Sequence, residues 1–329
     1  MIAAVQFAPS EYLAHYLPIR QYRVATRRAR ILPSFLVIGA QRAGTTSLFD
    51  YLLRHPDVCG PLAGGGEVMW SRKELHFFDE RFWRGIDWYR SFFPTRPRRA
   101  IHRAFGGDLV SGEATPYYMF HPGVPERVGA TVPDMRLIAL LREPVDRAYS
   151  HYQMMVRSKR EELSFEEALA AEDERLAGEE AKLLADLHYK SPNHRHRAYF
   201  RRGLYAEQLE RWLEHFPREQ LLVLSAEDFF ERSEEVYENV LGFLGLRRRK
   251  LADLKARGTT ADPKKPWGAR GSRNRARYEP LDPATRADLE RRYREPNARL
   301  AELLGRDFGW NRSDADQLER ARRADAPLR

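Results

Sequence analysis

Phe35-Leu36-Val37-Ile38-Gly39 runs directly into Ala40-Gln41-Arg42-Ala43-Gly44-Thr45-Thr46-Ser47, and this junction decides the fold. A short apolar run ending in glycine reads as a buried parallel strand. From Thr45 to Arg54, Leu48/Leu52 and Phe49/Leu53 fall at the i,i+4 spacing of a helix, which Pro56 stops. Small residues between such a strand and helix let backbone N–H groups close on a phosphate. The helix N-terminus adds about half a positive charge, and the threonine hydroxyls can donate. The spacing is near that of a Walker A loop, but Thr45 stands where the lysine would be, and Arg42 inside the loop supplies the cation. The same residues would also serve a plain tight turn.

Two more junctions repeat the pattern. Leu137-Ile138-Ala139-Leu140-Leu141 leads through Arg142-Glu143-Pro144 into a helix from Val145 to about Ser158, with Pro144 at a first-turn position. Leu221-Leu222-Val223-Leu224-Ser225 leads through a turn into a helix from Glu234 to Leu244. Strands alternating with helices predict an α/β fold with a parallel sheet flanked by helices. Between these units lie an acidic helical stretch over residues 161–186 and a His/Arg-rich loop over 191–202. A Pro/Gly/Arg-rich loop spans 258–277, and a last helix spans 283–304. Residues 1–30 read as an N-terminal arm ending in a basic stretch, either a surface feature or a contact for an anionic surface. Residues 31–311 read as one domain and 312–329 as a polar tail.

The 329 residues carry 56 Lys+Arg against 47 Asp+Glu, a formal charge of +9 that favours anionic partners. A hydrophobic fraction of 43% excludes a wholly disordered chain. No apolar run approaches the ~20 residues needed to span a bilayer. Cys59, the single cysteine, excludes an intrachain disulfide and a cysteine-cluster metal site. No export signal pattern is visible, and the expected location is cytoplasmic, with peripheral membrane contact left open.

Two further elements carry chemistry. Arg142 closes a strand, and Ser150 follows eight residues later, a little over two helical turns on, within reach of a phosphate monoester held by Arg142. Each residue alone would also suit an ordinary surface role. In Lys73-Glu74-Leu75-His76-Phe77-Phe78-Asp79, an extended backbone would turn Glu74 and His76 to one side as an acid/base pair; a charged strand edge is the plainer reading.

Taken in order, these elements resemble the sulfotransferase family, above all its glycosaminoglycan-type branch of heparan sulfate 3-O- and N-sulfotransferases and their bacterial relatives. Further matching stretches are His55-Pro56-Asp57-Val58, Gly112-Glu113-Ala114-Thr115-Pro116-Tyr117, Gly203-Leu204-Tyr205, Glu295-Pro296-Asn297 and Phe308-Gly309-Trp310. The resemblance implies a P-loop-like sulfotransferase domain using 3′-phosphoadenosine 5′-phosphosulfate (PAPS), with the bisphosphate PAP as product and no metal. Arg42, Ala43, Gly44, Thr45, Thr46 and Ser47 would hold the 5′-phosphosulfate, and Arg142 with Ser150 the 3′-phosphate. Arg273 and Arg275 would cover the nucleotide. Glu74 falls on the family's catalytic base and His76 on its supporting histidine, with Arg42 assisting. Arg202, Tyr117 and Asp79 fall where acceptor contacts are expected. The acceptor would be a carbohydrate or polyanionic glycan rather than nucleic acid.

The chain departs from the animal enzymes in having Arg42 for their loop lysine and Ala114 for a second active-site lysine. With one cysteine it has no counterpart of their C-terminal-loop disulfide, and no membrane anchor is expected. Two other classes would share parts of the pattern. A P-loop kinase would need the missing Walker lysine and a strand-end Asp for Mg²⁺. A non-catalytic polyanion-binding protein would explain the charge but not the ordered Arg42, Glu74, Arg142, Ser150 set. Trp70, Trp83, Trp88 and Tyr89 suit core packing or stacking on sugar rings.

Overall fold

In the computed structural model, which describes residues 21–61, 73–250 and 279–311, the run opening at Phe35 forms β1 (Phe35–Gly39), buried at every position. Four more strands join it: β2 (Val58–Cys59), β3 (Val110–Ala114), β4 (Arg136–Leu141) and β5 (Leu221–Ser225). The sheet is wholly parallel, in the order β2-β3-β1-β4-β5. The helices of eight residues or more among the described residues are α1 (Thr45–Leu52), α2 (Arg96–Ala104), α3 (Val124–Thr131), α4 (Pro144–Arg157), α5 (Tyr205–Leu213), α6 (Ser233–Phe243) and α7 (Pro283–Leu304). The core unites the apolar residues of β1, β4 and β5 with Leu48, Phe49, Leu209, Trp212, Val240 and Leu241 from the flanking helices.

Because all strands run the same way, the segments leaving β1, β3 and β4 emerge along one edge. In open α/β sheets, the ligand site lies outside this carboxyl edge. Val37 pairs with Ala114 and with Ile138, so the ends of β1, β3 and β4 stand side by side. Gly39 is required there by close approach: a Cβ on it would come within 2.6 Å of the Met119 Cβ. Gly44 caps α1 at φ 103°, in the left-handed region that favours glycine.

The structure departs from the sequence reading at several places. β2 and β3 have no apolar signature. β3 reads Val-Ser-Gly-Glu-Ala because the Phe35 ring covers Gly112, where a Cβ would meet it at 2.5 Å, and because Glu113 is buried among hydrogen-bond donors. The acidic helical stretch over 161–186 resolves into three short helices, interrupted at Ala171 and again at Gly178 (φ 72°). The turn after β5 is itself helical, Ala226–Glu231, capped by the Ser225 hydroxyl accepting from Asp228 N–H. Part of the His/Arg-rich loop is also helical, at Pro192–His196, capped by Ser191. The end of the expected N-terminal arm is built into the body: Arg23 and Arg30 are buried, and Arg30 donates to the Phe93 carbonyl at 2.6 Å.

Candidate active site

The loop after β1 presents the start of α1 with no side-chain cap, since Gly44 has none to offer. The first helical N–H groups and their partial positive charge are thus aimed at whatever lies beyond the loop. The Ser47 hydroxyl is buried without a hydrogen-bond partner among the described residues. Arg42, itself in the left-handed region at φ 76°, sends its guanidinium across to α4. There Nε donates to Ser150 Oγ at 3.0 Å, and Nη1 lies 3.7 Å from Met154 Sδ. Ser150 therefore meets the loop after β1 through Arg42, whose chain segment also touches Arg142. Arg142 donates to the Arg42 carbonyl at 3.3 Å and pairs with Asp146, one turn on, at 3.5 Å. The Arg142 carbonyl accepts from the Tyr205 hydroxyl at 2.8 Å, which ties the Gly203-Leu204-Tyr205 stretch to this corner. Asp146 also accepts from Arg286 of α7 at 2.6 Å. The result is a cationic, hydroxyl-bearing corner at a helix N-terminus, a setting that favours anionic groups.

Lys73-Glu74-Leu75-His76 runs beside the end of β3, where Ala114 N–H donates to the Lys73 carbonyl at 3.0 Å. The stretch is not a continuous strand, because His76 turns it at φ 48°, ψ 43°. Glu74 and His76 meet all the same, with His76 Nε2 3.3 Å from Glu74 Oε2. Lys73 Nζ lies 2.8 Å from Glu74 Oε1, and His76 Nδ1 lies 2.6 Å from Asp79 Oδ2. Burial would raise the Glu74 carboxyl, but the His76 hydrogen bond and the Lys73 charge outweigh it and hold it at about 2. Burial would likewise lower His76, but the charge and hydrogen bond of Asp79, with the bond to Glu74, raise it to about 9. At neutral pH the imidazole is therefore charged and joins two carboxylates.

This ion pair has a pH signature. Glu74 is lowered from 4.5 and His76 is raised from 6.5, so the pair stabilises the fold fully between those values. The Glu74 share is lost as pH falls through about 2, and the His76 share as pH rises through about 9. The melting deficit of His76→Gln against wild type is expected to be largest near pH 6, within that window, and to narrow by pH 9. An unchanged deficit across that range would mean that the folded protein holds a neutral imidazole.

Behind this segment lies a fully buried carboxylate, Glu113. Its Oε1 accepts from Tyr89 at 2.7 Å and Tyr118 at 3.0 Å, and its Oε2 from Leu75 N–H at 2.9 Å and Thr115 at 2.8 Å. Tyr118 in turn accepts from Phe77 N–H at 2.9 Å. The stretch is thus pinned on both sides of His76.

The residues expected to touch an acceptor, Asp79, Tyr117 and Arg202, are all buried. Asp79 is buried with its carboxylate turned to His76 and to Glu80 N–H, because the helical turn after His76 folds it inward. Tyr117 is buried with its hydroxyl 2.8 Å from His194 Nδ1. Arg202, also buried, donates to Gln41 of the loop after β1 and to the carbonyls of His194 and Arg195. It braces the loop, and burial pushes its guanidinium down to about 9. Tyr89 stacks on Phe77 in the core, and Trp88 packs against Phe92, whereas Trp83 is 47% exposed. Arg273, Arg275 and Trp70 lie outside the described residues. Sequence reasoning missed the roles of Glu113, Tyr118 and Arg286. It grouped Arg195 with its neighbours but did not foresee that Nη2 would stand 3.2 Å from His76 Nε2. For Asp146 the signal was present, an acid four residues after Arg142 on a helix.

Among the described residues, no group of three His, Cys, Asp or Glu side chains is placed to hold a metal, and no helix is long and apolar enough to cross a membrane. The sequence matches the sulfotransferase domain family over residues 32–265. It is 31% identical over 288 residues to heparan sulfate glucosamine 3-O-sulfotransferase 3B1 of Homo sapiens, covering 85% of this chain and 65% of the human protein's length. It is 30% identical over 288 residues to the bifunctional heparan sulfate N-deacetylase/N-sulfotransferase 4 of Mus musculus, covering 84% of this chain and 30% of the mouse protein. The crystal structure of a sulfotransferase from Alicyclobacillus acidocaldarius, 32% identical, superposes with a TM-score of 0.58 over 86% of this chain and all of that one. A parallel P-loop-like sheet with a small-residue loop and a helix N-terminus on its carboxyl edge, and a family match over most of the chain, place this protein in the sulfotransferase family.

Proposed function

We propose that the protein transfers a sulfuryl group from PAPS to a hydroxyl or amine of a carbohydrate acceptor. The observation that carries this reading is the convergence of Arg42, Arg142 and Ser150 at the uncapped start of α1. The Glu74–His76 pair stands on the same sheet edge. PAPS supplies the sulfuryl group, which the acceptor takes as the bond to the 5′-phosphate breaks. Arg42, Arg142, Ser150 and the N–H groups of α1 would hold the two phosphate ends and offset their charge. Glu74 would remove the acceptor's proton, with its carboxylate kept ionised by Lys73 and His76. Asp79, behind His76, would hold the imidazole in place. Support for a sugar acceptor comes from the named activities of the animal relatives, from the exposed Trp83 ring and from Arg195 beside His76.

The test is thermal unfolding with adenosine 3′,5′-bisphosphate, with AMP and Mg-ATP as comparators. At 100 times its Kd the bisphosphate should stabilise wild type by about 2.7 kcal/mol, and Arg142→Ala should lose that shift. A flat response to the bisphosphate together with a shift in Mg-ATP would overturn the reading in favour of a nucleotide kinase.

A further inference from the structure

The surplus of positive charge is not confined to the carboxyl edge. At the opposite edge, where the strands begin, α2 (Arg96–Ala104) has no buried residue. A helix on a globular protein normally lays its apolar stripe on the core. Here the apolar pair points outward: Ile101 is 61% exposed, and Phe105, four residues on, is 87% exposed. Arginines surround the pair. Arg99 and Arg103 share Asp108, whereas Arg96 and Arg98 are exposed.

Neighbouring segments extend the patch. The turn after α2 leads into β3, and Arg247 donates to the Gly106 carbonyl there, which brings the exposed Arg248, Arg249 and Lys250 alongside. Arg30 bridges to Thr95 at the start of α2 and so ties in the segment that carries Tyr22 and Val24. Of the eight large apolar side chains exposed among the described residues, four are Tyr22, Val24, Ile101 and Phe105. A basic helix with exposed apolar anchors is the pattern of a surface that lies in a lipid headgroup region. A soluble polyanion would engage the arginines but gain nothing from an exposed Phe105.

We propose that α2, with the 246–250 segment, is a docking surface for an anionic lipid bilayer. Ile101 and Phe105 enter the interface, and the arginines meet the headgroups. The phosphate loop lies at the other end of the strands, so the docked protein keeps its candidate active site open to water. The proposal is independent of which acceptor the enzyme uses.

The test is co-sedimentation of the full chain with vesicles of phosphatidylcholine containing roughly one-third phosphatidylglycerol. Binding is expected to these vesicles but not to pure phosphatidylcholine, and to weaken with salt. Phe105→Asp is expected to reduce it at least about tenfold while leaving the melting temperature and the response to adenosine 3′,5′-bisphosphate unchanged. No binding at low salt, or binding indifferent to Phe105→Asp, would overturn the proposal. So would heparin binding in the absence of vesicle binding, lost in Arg98→Glu but kept in Phe105→Asp, which would assign the surface to a polyanionic glycan. A dimer in solution that Phe105→Asp dissolves, without vesicle binding, would assign it to a second copy of the chain.

Discussion

Glu74→Gln is expected to lower turnover by about 10²–10⁴-fold while leaving the stabilisation by adenosine 3′,5′-bisphosphate nearly intact. The amide keeps the volume of the carboxyl but has a single acceptor oxygen, so it retains one of the two contacts that Lys73 and His76 make to separate carboxylate oxygens, at 2.8 Å and 3.3 Å. It cannot take a proton. The loss should therefore fall on the chemical step and not on the nucleotide corner, which is built from other segments. Single-turnover kinetics beside the thermal shift separate the two. With the carboxyl held at about 2, a reaction relying on Glu74 should show no acidic limb between pH 5 and 7. Near-normal turnover in Glu74→Gln, joined to inactivity in His76→Gln, would move the proton-accepting role to the imidazole. In that case activity should rise as pH approaches about 9, where His76 gives up its proton.

Glu113→Ala is expected to cost roughly 3 kcal/mol or more of stability, because it strands several buried donors at once. The hydroxyls of Tyr89, Tyr118 and Thr115 and the N–H of Leu75 all lose their acceptor. The melting temperature should fall by about 5 °C or more. Activity should fall further than the folded fraction explains, because Leu75 lies between Glu74 and His76 and its N–H is one of the bonds that hold the segment. Glu113→Gln, of the same shape, keeps one carbonyl acceptor and should be intermediate. The Glu113 carboxyl itself sits above the ordinary range, since burial outweighs the donors around it. Denaturant melts and turnover measured well below the transition check both effects. A melt within about 1 °C of wild type would mean that water or a rearranged neighbour satisfies those donors.

Much of the architecture could be read locally. β1, β4 and β5 are apolar runs that the surrounding layers must bury, and α1, α4, α6 and α7 follow from side-chain periodicity and from prolines at their first turns or beyond their ends. The strand–loop–helix junction after β1 was legible for the same reason: its small residues and hydroxyls are contiguous in sequence. β3 was not, because Gly112 and Glu113 take their places from partners elsewhere in the chain.

The site divides in the same way. Sequence by itself determined which chemistry is present: an arginine in a glycine-bearing loop, a carboxylate and an imidazole two residues apart, and a strand-end arginine followed by a serine in a helix. The tertiary structure decided which groups meet. Ser150 bonds to Arg42, 108 residues away, and Arg202 reaches Gln41, 161 residues away, while the buried Asp79 carboxylate faces His76. Periodicity and turn chemistry are set by neighbours along the chain and so are visible in it. The direction and burial of a polar side chain are set by what packs across from it, and for these residues that partner is supplied by the meeting of strand ends and helices that the chain brings together only on folding.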